Sequence, residues 1–298
     1  MSASSAQQTP GKPTRRWRGR IAFLVCLALL AIAALFFAPL LPPVPGSSDD
    51  QIIAHERASR LLRYRWGLPL PGEPSLGNVD KRLADGGWKA GAPVFMRIFK
   101  KEFELELWMK RGDKFEKFET YPICRWSGGL GPKFQTGDKQ APEGFYTVDA
   151  GALNPNSRWY RSFNLGFPNL FDQAHGRTGS LIMVHGGCGS VGCFAMTNAQ
   201  ISEIWQLVTA ALDGGQKRFQ VQVFPFHMTD GALADYANDD ALAFWKSLQR
   251  GHDLFEQTGL PPRVAVCNGQ YAFEPGASGT SGEQAIEKGC PQSRAKQS

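Results

Sequence analysis

The stretch from Val184 to Cys193, VHGGCGSVGC, combines one histidine with two cysteines and four glycines. The glycines let the chain turn back sharply, so that the imidazole of His185 can meet the thiol of Cys193. A histidine beside a cysteine can take the thiol proton, and the resulting thiolate attacks a carbonyl. The backbone N–H groups of Gly192 and Cys193 would then face the developing oxyanion. The stretch therefore predicts nucleophilic catalysis by a thiol whose pKa is lowered.

Three non-catalytic interpretations of the same residues stay open. A zinc site could use His185, Cys188 and Cys193, but a structural zinc needs four ligands and this spacing matches no common module. A disulfide between Cys188 and Cys193 would suit an oxidising compartment. A buried histidine that only ends a strand is the third alternative.

The number of cysteines bears on this choice. One of the six lies in an apolar N-terminal segment, and the other five are Cys124, Cys188, Cys193, Cys267 and Cys290. If these five form disulfides, one of them stays free. One possible pairing joins Cys124 to Cys188 and Cys267 to Cys290, although connectivity cannot be read from a sequence. It would leave Cys193 free, and a thiol that stays free in an oxidising compartment usually has a function.

The N-terminal segment itself predicts a membrane anchor. Residues 21–41, IAFLVCLALLAIAALFFAPLL, carry no charge and would span about 30 Å as a helix. The run is longer than the apolar part of a signal peptide, so we expect an uncleaved helix. Four arginines lie within residues 1–20, which predicts a cytoplasmic basic tail. The chain is thus expected to be a single-pass inner-membrane protein whose catalytic domain lies in the periplasm.

Composition and charge narrow the function further. The 298 residues are 42% hydrophobic and 20% charged, which is typical of a globular protein. The net charge of +6 comes partly from the N-terminal arginines. No long basic run with interleaved aromatic residues is present, so nucleic acid is not an expected partner.

The exported part has the pattern of an α+β protein. Alternating apolar residues from Val94 to Met109 predict a β-meander, and a capping box at Thr197–Gln200 predicts a helix that ends near Gly214. We expect a linker and short helix at 42–92, a catalytic domain at 93–228, a helical C-terminal extension at 229–273 and a flexible tail at 274–298. The predicted fold is a mostly β domain with flanking helices, preceded by one transmembrane helix.

Two motifs carry a resemblance to a known family. VHGGCGSVGC resembles the signature of L,D-transpeptidases with a YkuD-type catalytic domain, and APEGFYTV resembles a Pro-x-Gly-x-Phe motif found upstream in that family. The longer stretch from Tyr121 to Met196 is similar to the YafK-like branch. The resemblance covers about residues 93–228.

The resemblance implies a reaction and a set of roles. In that family a cysteine attacks the carbonyl of the meso-diaminopimelate residue in a peptidoglycan stem peptide and expels D-alanine. The acyl group then passes to an amine of another stem or of an envelope lipoprotein. By position, Cys193 would be the nucleophile and His185 the base, while Gly192 and Ser190 would shape the oxyanion region. Such enzymes need no metal or cofactor.

Two departures from the family pattern leave parts of this function open. The gap between histidine and cysteine is short, and Ala195 stands where most of the family carry an arginine. Binding of the substrate carboxylate would then need another cation, and the candidates are Arg177, Arg161, Arg125 and Lys133. Water can also resolve an acyl-enzyme, so a hydrolase that cuts stem peptides or releases peptidoglycan-bound lipoprotein is an alternative. A non-catalytic wall-binding module is another.

Overall fold

The computed structural model describes residues 15–277 and 283–290. The chain forms two compact units, Met1–Ser47 and Ser48–Ser298. In the first, the helix predicted over residues 21–41 is found as α1 (Arg15–Phe37), followed by a short 3₁₀ turn (Ala38–Leu40). Among the described residues, no helix is long and apolar enough to cross a membrane. Most of the predicted cytoplasmic tail, residues 1–14, lies outside the described part.

The second unit contains six α-helices and twelve strands in its described residues. The helices are α2 (Asp49–Arg65), α3 (Val79–Asp85), α4 (Leu170–Ala174), α5 (Asn198–Asp213), α6 (Asp230–Asp235) and α7 (Leu242–Thr258). The strands are β1 (Val94–Phe99), β2 (Glu104–Arg111), β3 (Lys114–Pro122), β4 (Gly144–Asp149), β5 (Leu153–Asn154), β6 (Ser162–Asn164), β7 (Met183–His185), β8 (Phe194–Ala195), β9 (Arg218–Phe224), β10 (Arg263–Cys267), β11 (Gln270–Glu274) and β12 (Glu287–Lys288).

A five-stranded sheet with the order β3-β2-β1-β9-β4 forms the centre of this unit. The predicted meander is confirmed, because β1, β2 and β3 pair in sequence as antiparallel neighbours. Strand β1 also pairs in parallel with β9, so it lies inside the sheet and every one of its residues is buried. Helix α5 supplies apolar residues such as Ile201 and Val208 to the same core.

A second, four-stranded sheet carries the residues of the histidine–cysteine motif, with the order β5-β6-β7-β8. His185 ends β7 and Cys193 directly precedes β8. The predicted capping box then begins α5: Thr197 accepts from the N–H of Gln200, whose side chain accepts from the N–H of Thr197. This cap fixes where the chain leaves the motif, because it satisfies backbone donors that would otherwise lack partners.

The compact unit extends on both sides of the predicted catalytic domain at 93–228. Helix α2 packs Ile53 into the main core, and α7 packs Trp245 into a second cluster. The predicted helical extension also holds β10 and β11. Part of the predicted flexible tail is structured, since β12 pairs with β10 and Cys290 forms a disulfide with Cys267. Apolar side chains on these flanking segments explain why they fold onto the catalytic region.

Candidate functional site

His185 and Cys193 line one cleft of about 740 Å³. Three arginines, Arg65, Arg125 and Arg158, also line it, whereas no acidic side chain of the described residues does. A concave site with an excess of positive charge favours an anionic ligand. The sequence analysis gave Arg125 only as one of four candidate cations, and the structure adds Arg65 and Arg158 to the cleft.

The imidazole of His185 is held in one tautomer. Its Nδ1 lies 2.6 Å from the carbonyl oxygen of Gly186, and since a carbonyl can only accept, Nδ1 carries the proton. Nε2 is then left with a lone pair. His185 is only 3% exposed, and burial lowers its pKa. The histidine is therefore neutral near pH 7 and can act as a base.

Trp159 covers one face of this imidazole, a contact that sequence reasoning missed. The two rings stack with centroids 5.9 Å apart and planes 29° from parallel. Trp159 is 43% exposed, although it lies against the glycine-rich loop, where a Cβ on Gly187 would come within 3.1 Å of its ring. The signal that could have found it is an aromatic pair in the polar loop NSRWYRS, because exposed aromatic residues often mark binding sites.

The thiol of Cys193 is held by the backbone of the neighbouring strand. Its Sγ accepts from the N–H of Met183 at 3.4 Å and donates to the carbonyl of Leu181 at 3.7 Å. Burial raises the pKa of Cys193, while the Met183 N–H and the charge of Lys133 oppose this in part. The prediction of a lowered thiol pKa is wrong for this resting site, since desolvation outweighs the favourable contacts.

The strand register places His185 and Cys193 on neighbouring segments of the sheet. Strands β7 and β8 are parallel, and His185 pairs with Ala195. Cys193 lies two residues before Ala195 and directly before β8, so an extended backbone there would place it on the same face, about 6.6 Å along the chain. Among the hydrogen bonds of the described residues, none joins the imidazole to Sγ. The resting thiol is therefore bonded to Leu181 rather than to His185.

A chain of hydroxyl groups fixes the backbone on both sides of Cys193. The N–H of Gly192 donates to Oγ of Ser127 at 2.5 Å, and Oγ of Ser190 donates to the carbonyl of Cys193 at 2.6 Å. The two serine oxygens are 3.3 Å apart. Since Ser190 already uses its proton, Ser127 is the donor between them. Ser127 lies 65 residues before Gly192, so the local motif gave no sign of it.

This arrangement changes the predicted oxyanion site. The N–H of Gly192, expected to face the oxyanion, is bound by Ser127 instead. Gly192 adopts φ +101°, and a Cβ there would lie 3.3 Å from the side chain of Ile182. Glycine is thus needed at this position for the backbone conformation. Ser190 lines the cleft, but its hydroxyl is directed to the Cys193 carbonyl.

Both disulfides of the pairing considered from the sequence are present. Cys124 bonds to Cys188 and Cys267 bonds to Cys290, while Cys193 is free. Cys188 can therefore neither pair with Cys193 nor ligate zinc as a thiolate. Among the residues that the structure describes, no group of three or more metal-binding side chains could hold a metal ion.

Of the four basic candidates for substrate binding, Arg125 lines the cleft. It is paired with Ala195 through an isolated antiparallel bridge. Its guanidinium group has no hydrogen bond or ion pair with another side chain of the described residues. Arg125 is therefore placed beside the nucleophile with its charge available.

The other three candidates lie elsewhere. Arg177 binds Asp172 at 2.7 Å and lines a different cavity. Arg161 packs over the rings of Tyr160 and Trp205 and does not line the cleft. Lys133 is buried and forms an ion pair with Asp138. Its charge still reaches Cys193, but its ammonium group is already bound.

Comparisons with known proteins show the family to which this chain belongs. Residues 101–223 match the family model of the YkuD L,D-transpeptidase catalytic domain. The chain is 49% identical, over 61% of its own length and 74% of the relative, to the Escherichia coli (strain K12) protein named "Putative L,D-transpeptidase YafK". The protein of the same name from Escherichia coli O157:H7 gives the same figures.

Two solved structures show a more distant similarity. The helical cell shape determining protein Pgp2 from Campylobacter jejuni is 24% identical, with a TM-score of 0.36. That match covers 50% of this chain and 55% of Pgp2. Bd1075 from Bdellovibrio bacteriovorus is 19% identical, with a TM-score of 0.33, and the match covers 56% of this chain and 62% of Bd1075.

Proposed function

The chain belongs to the family of L,D-transpeptidases with a YkuD-type catalytic domain, and we propose from this premise that it is a cysteine acyltransferase acting on peptidoglycan stem peptides. The observation that carries the proposal is the joint placement of His185 and the free thiol of Cys193 in one positively charged cleft. The imidazole has a lone pair at Nε2, as a general base requires.

In the first half-reaction the thiol rotates from Leu181 towards His185. The histidine pKa is lowered and the thiol pKa is raised, so a resting thiolate–imidazolium pair is disfavoured. Proton transfer to Nε2 therefore accompanies attack of Sγ on the diaminopimelate carbonyl. The carbon–nitrogen bond to D-alanine then breaks, and His185 returns the proton to the leaving amine. A thioester on Cys193 remains.

The oxyanion of this step needs a hydrogen-bond donor close to Cys193. Because Ser127 binds the N–H of Gly192, the N–H of Cys193 itself is the remaining backbone donor of the predicted pair. The serine chain holds the Cys193 peptide units in place, so this donor is preorganised before substrate arrives. Gly192 and Ser190 act here through backbone position.

Arg125 is the residue that we assign to a substrate carboxylate. The pKa of the neighbouring Arg57 is lowered to about 10, first by burial and then by the charge of Arg125. A bound carboxylate would relieve this repulsion and form charge-assisted hydrogen bonds. Stem peptides carry carboxylates near the reacting carbonyl, which fits a cation bridged to Ala195, two residues after the nucleophile.

We further propose that the protein acts in the periplasm and is held at the inner membrane by its uncharged apolar run, residues 21–41. Two disulfides in the second unit fit an oxidising compartment. Carbonate extraction of membranes tests the anchor, and accessibility of Cys193 to an impermeant thiol reagent in intact spheroplasts tests the location. A protein that carbonate releases, or a thiol that only lysis exposes, would contradict this part.

The acyl acceptor distinguishes the transferase from its hydrolytic alternative. The full chain in detergent should be incubated with tetrapeptide muropeptides, and the products analysed by mass spectrometry. New crosslinks or D-alanine exchange, lost in Cys193→Ala and kept in Cys26→Ala, support a transpeptidase. Shortened stems, or release of a lipoprotein-linked peptide, instead support a hydrolase. No product with any variant would leave a wall-binding module.

A further inference from the structure

A row of cross-strand partners crosses the floor of the cleft. Asn154 pairs with Ser162, and Ser162 pairs with His185. His185 pairs with Ala195, which is bridged to Arg125. Directly paired residues project to the same face of a sheet, and at the usual strand spacing the row is about 19 Å long. Ser162 and Arg125 therefore lie on opposite sides of the catalytic histidine.

Ser162 is the unusual member of this row. The residue is 1% exposed, and its hydroxyl has no hydrogen-bond partner in the described part of the protein. It also lines the cleft, and no other cleft-lining residue has a buried side-chain polar atom without a partner within that part. Buried hydroxyl groups are almost always bonded, so an orphaned one at a binding cleft points to a partner that the ligand supplies.

Neighbouring histidine and serine side chains of the cleft already have hydrogen-bond partners. Nδ1 of His185 is bound to Gly186, Oγ of Ser190 to the Cys193 carbonyl, and Oγ of Ser157 accepts from the N–H of Trp159. The guanidinium of Arg125 faces the acyl donor in the function proposed above. The side of His185 away from Arg125 is thus left for the second substrate.

We propose that Ser162 is the hydrogen-bonding subsite for the acyl acceptor, a water molecule or a primary amine, an inference that rests on the proposed function of Cys193. Both acceptors carry two hydrogens on the attacking atom. One is donated to Oγ of Ser162 and the other to Nε2 of His185. The pair of contacts holds the acceptor beside the thioester with its lone pair free.

The chemical step balances with these groups alone. The acceptor lone pair forms a bond to the thioester carbonyl carbon, and His185 removes one acceptor proton. The carbon–sulfur bond then breaks, its electron pair goes to Sγ, and His185 passes the proton to that sulfur. The products are a new amide or a carboxylic acid, together with the free thiol of Cys193.

The test separates acylation from deacylation in the full chain, using a tetrapeptide muropeptide. The D-alanine burst reports acylation, intact-protein mass reports the thioester, and steady-state turnover reports deacylation. Ser162→Ala should keep the burst but slow deacylation about tenfold, the effect of one hydrogen bond, so that the thioester accumulates. Its unfolding midpoint should equal or exceed that of the wild type, because the change removes an unpaired buried hydroxyl.

The control is Ser247→Ala, since Oγ of Ser247 is bound to the Phe244 carbonyl on α7 and lies outside the cleft. It should change neither rate. A wild-type preference for primary over secondary amines should also shrink in Ser162→Ala, because a secondary amine has no second hydrogen to donate. Labelled water and added amine identify which acceptor is affected, and slowing of either supports the subsite.

Two results would overturn this proposal while leaving the proposed function intact. Unchanged deacylation in a stabilised Ser162→Ala protein would make the hydroxyl a packing defect. An equal loss of acylation and deacylation would make it structural. If the wild type forms no thioester and releases no D-alanine, the proposed function itself fails, and the acceptor subsite fails with it.

Discussion

Arg125 and Ala195 exchange a pair of backbone hydrogen bonds beside the nucleophile. The N–H of Arg125 donates to the carbonyl of Ala195 at 3.0 Å, and the N–H of Ala195 donates back at 2.7 Å. The arginine that most of the family carry two residues after the cysteine is absent here. In the function proposed above, Arg125 supplies this charge from the neighbouring segment, at the position directly across from Ala195.

This relationship predicts how Arg125 contributes to binding. Arg125→Gln should lower kcat/KM about 10- to 100-fold, mainly through KM, since a hydrogen bond to a charged group is lost. Arg125→Lys should retain part of the activity, because a lysine keeps the charge but loses the bidentate geometry. Steady-state kinetics with a tetrapeptide donor checks both.

Arg161→Gln is the matched control, as this arginine packs on rings outside the cleft. It should leave KM unchanged. A donor whose diaminopimelate carboxylate is amidated should bind weakly to the wild type and lose little more in Arg125→Gln. An equal rise in KM in both arginine variants, or no rise in Arg125→Gln, would contradict the assignment.

The pH dependence follows from the two shifted groups. Because burial lowers the pKa of His185 below its ordinary value of 6.5, the neutral base persists to acidic pH. Activity should therefore stay level as the pH falls from 8 to about 6.5 and decline only as it passes through the lowered pKa. A pH series of kcat/KM measures this, and an acid limb centred above 6.5 would contradict it.

The thiol gives an independent readout of the same environment. Burial raises the pKa of Cys193 above 9.0, so alkylation by iodoacetamide at neutral pH should be slower than that of glutathione and should increase as the pH rises through the raised value. The measurement uses mass spectrometry of the Cys193 peptide. Alkylation at pH 7 faster than that of glutathione would show a resting thiolate instead.

Local sequence patterns predicted the candidate nucleophile and base and gave the main elements, because those signals lie within short segments. The alternation of β1 to β3 and the capping box at Thr197 are of this kind. The short helix α3 was missed because turn residues such as Pro74 and Gly77 dominate its surroundings. Sequence does not reveal which core an apolar face joins, so it could not show that α2 and α7 pack against residues of the central sheet.

The rest of the site depends on tertiary register and could not be read from local spacing. Ser162 and Arg125 reach the cleft through pairing between distant segments, and Ser127 binds the N–H of Gly192 from 65 residues away. The direction in which the pKa of Cys193 shifts depends on the total burial of the thiol, and many segments determine that burial together. The correct cysteine pairing was one of several that the count allowed, and only the folded geometry selects it.

The serine chain predicts a positioning role for Ser127. Ser127→Ala leaves the N–H of Gly192 without its partner and should cost about 1–3 kcal/mol of stability. It should also lower kcat about tenfold with little change in KM, since the Cys193 peptide units lose their fixed orientation. Ser127→Thr, which keeps the hydroxyl, should restore much of kcat. Equal changes in kcat and KM, or no rescue by threonine, would contradict the role.

Both disulfides should stabilise the fold, but only Cys124–Cys188 should also be needed for turnover. Cys124–Cys188 closes a loop over a sequence separation of 64, and Cys267–Cys290 one over 23, so removing either by paired alanine substitutions should cost about 2–4 kcal/mol. Cys188 lines the cleft between His185 and Cys193 and adopts φ 51°, a left-handed conformation that the bond to Cys124 helps to hold. Loss of this disulfide should therefore abolish turnover even at temperatures where the protein stays folded.

Loss of Cys267–Cys290 serves as the matched control for that prediction. This disulfide joins Cys267 of β10 to Cys290, which follows β12, in the three-stranded sheet. In the described part of the chain, that sheet contributes no residue to the cleft. Removal of the disulfide should lower the unfolding midpoint while kcat/KM stays within about twofold of the wild type, since substitutions away from a site usually have small effects. Denaturant unfolding and kinetics at 15–25 °C measure the two effects separately. Full activity without Cys124–Cys188, at equal stability loss, would show that the bond only stabilises the fold.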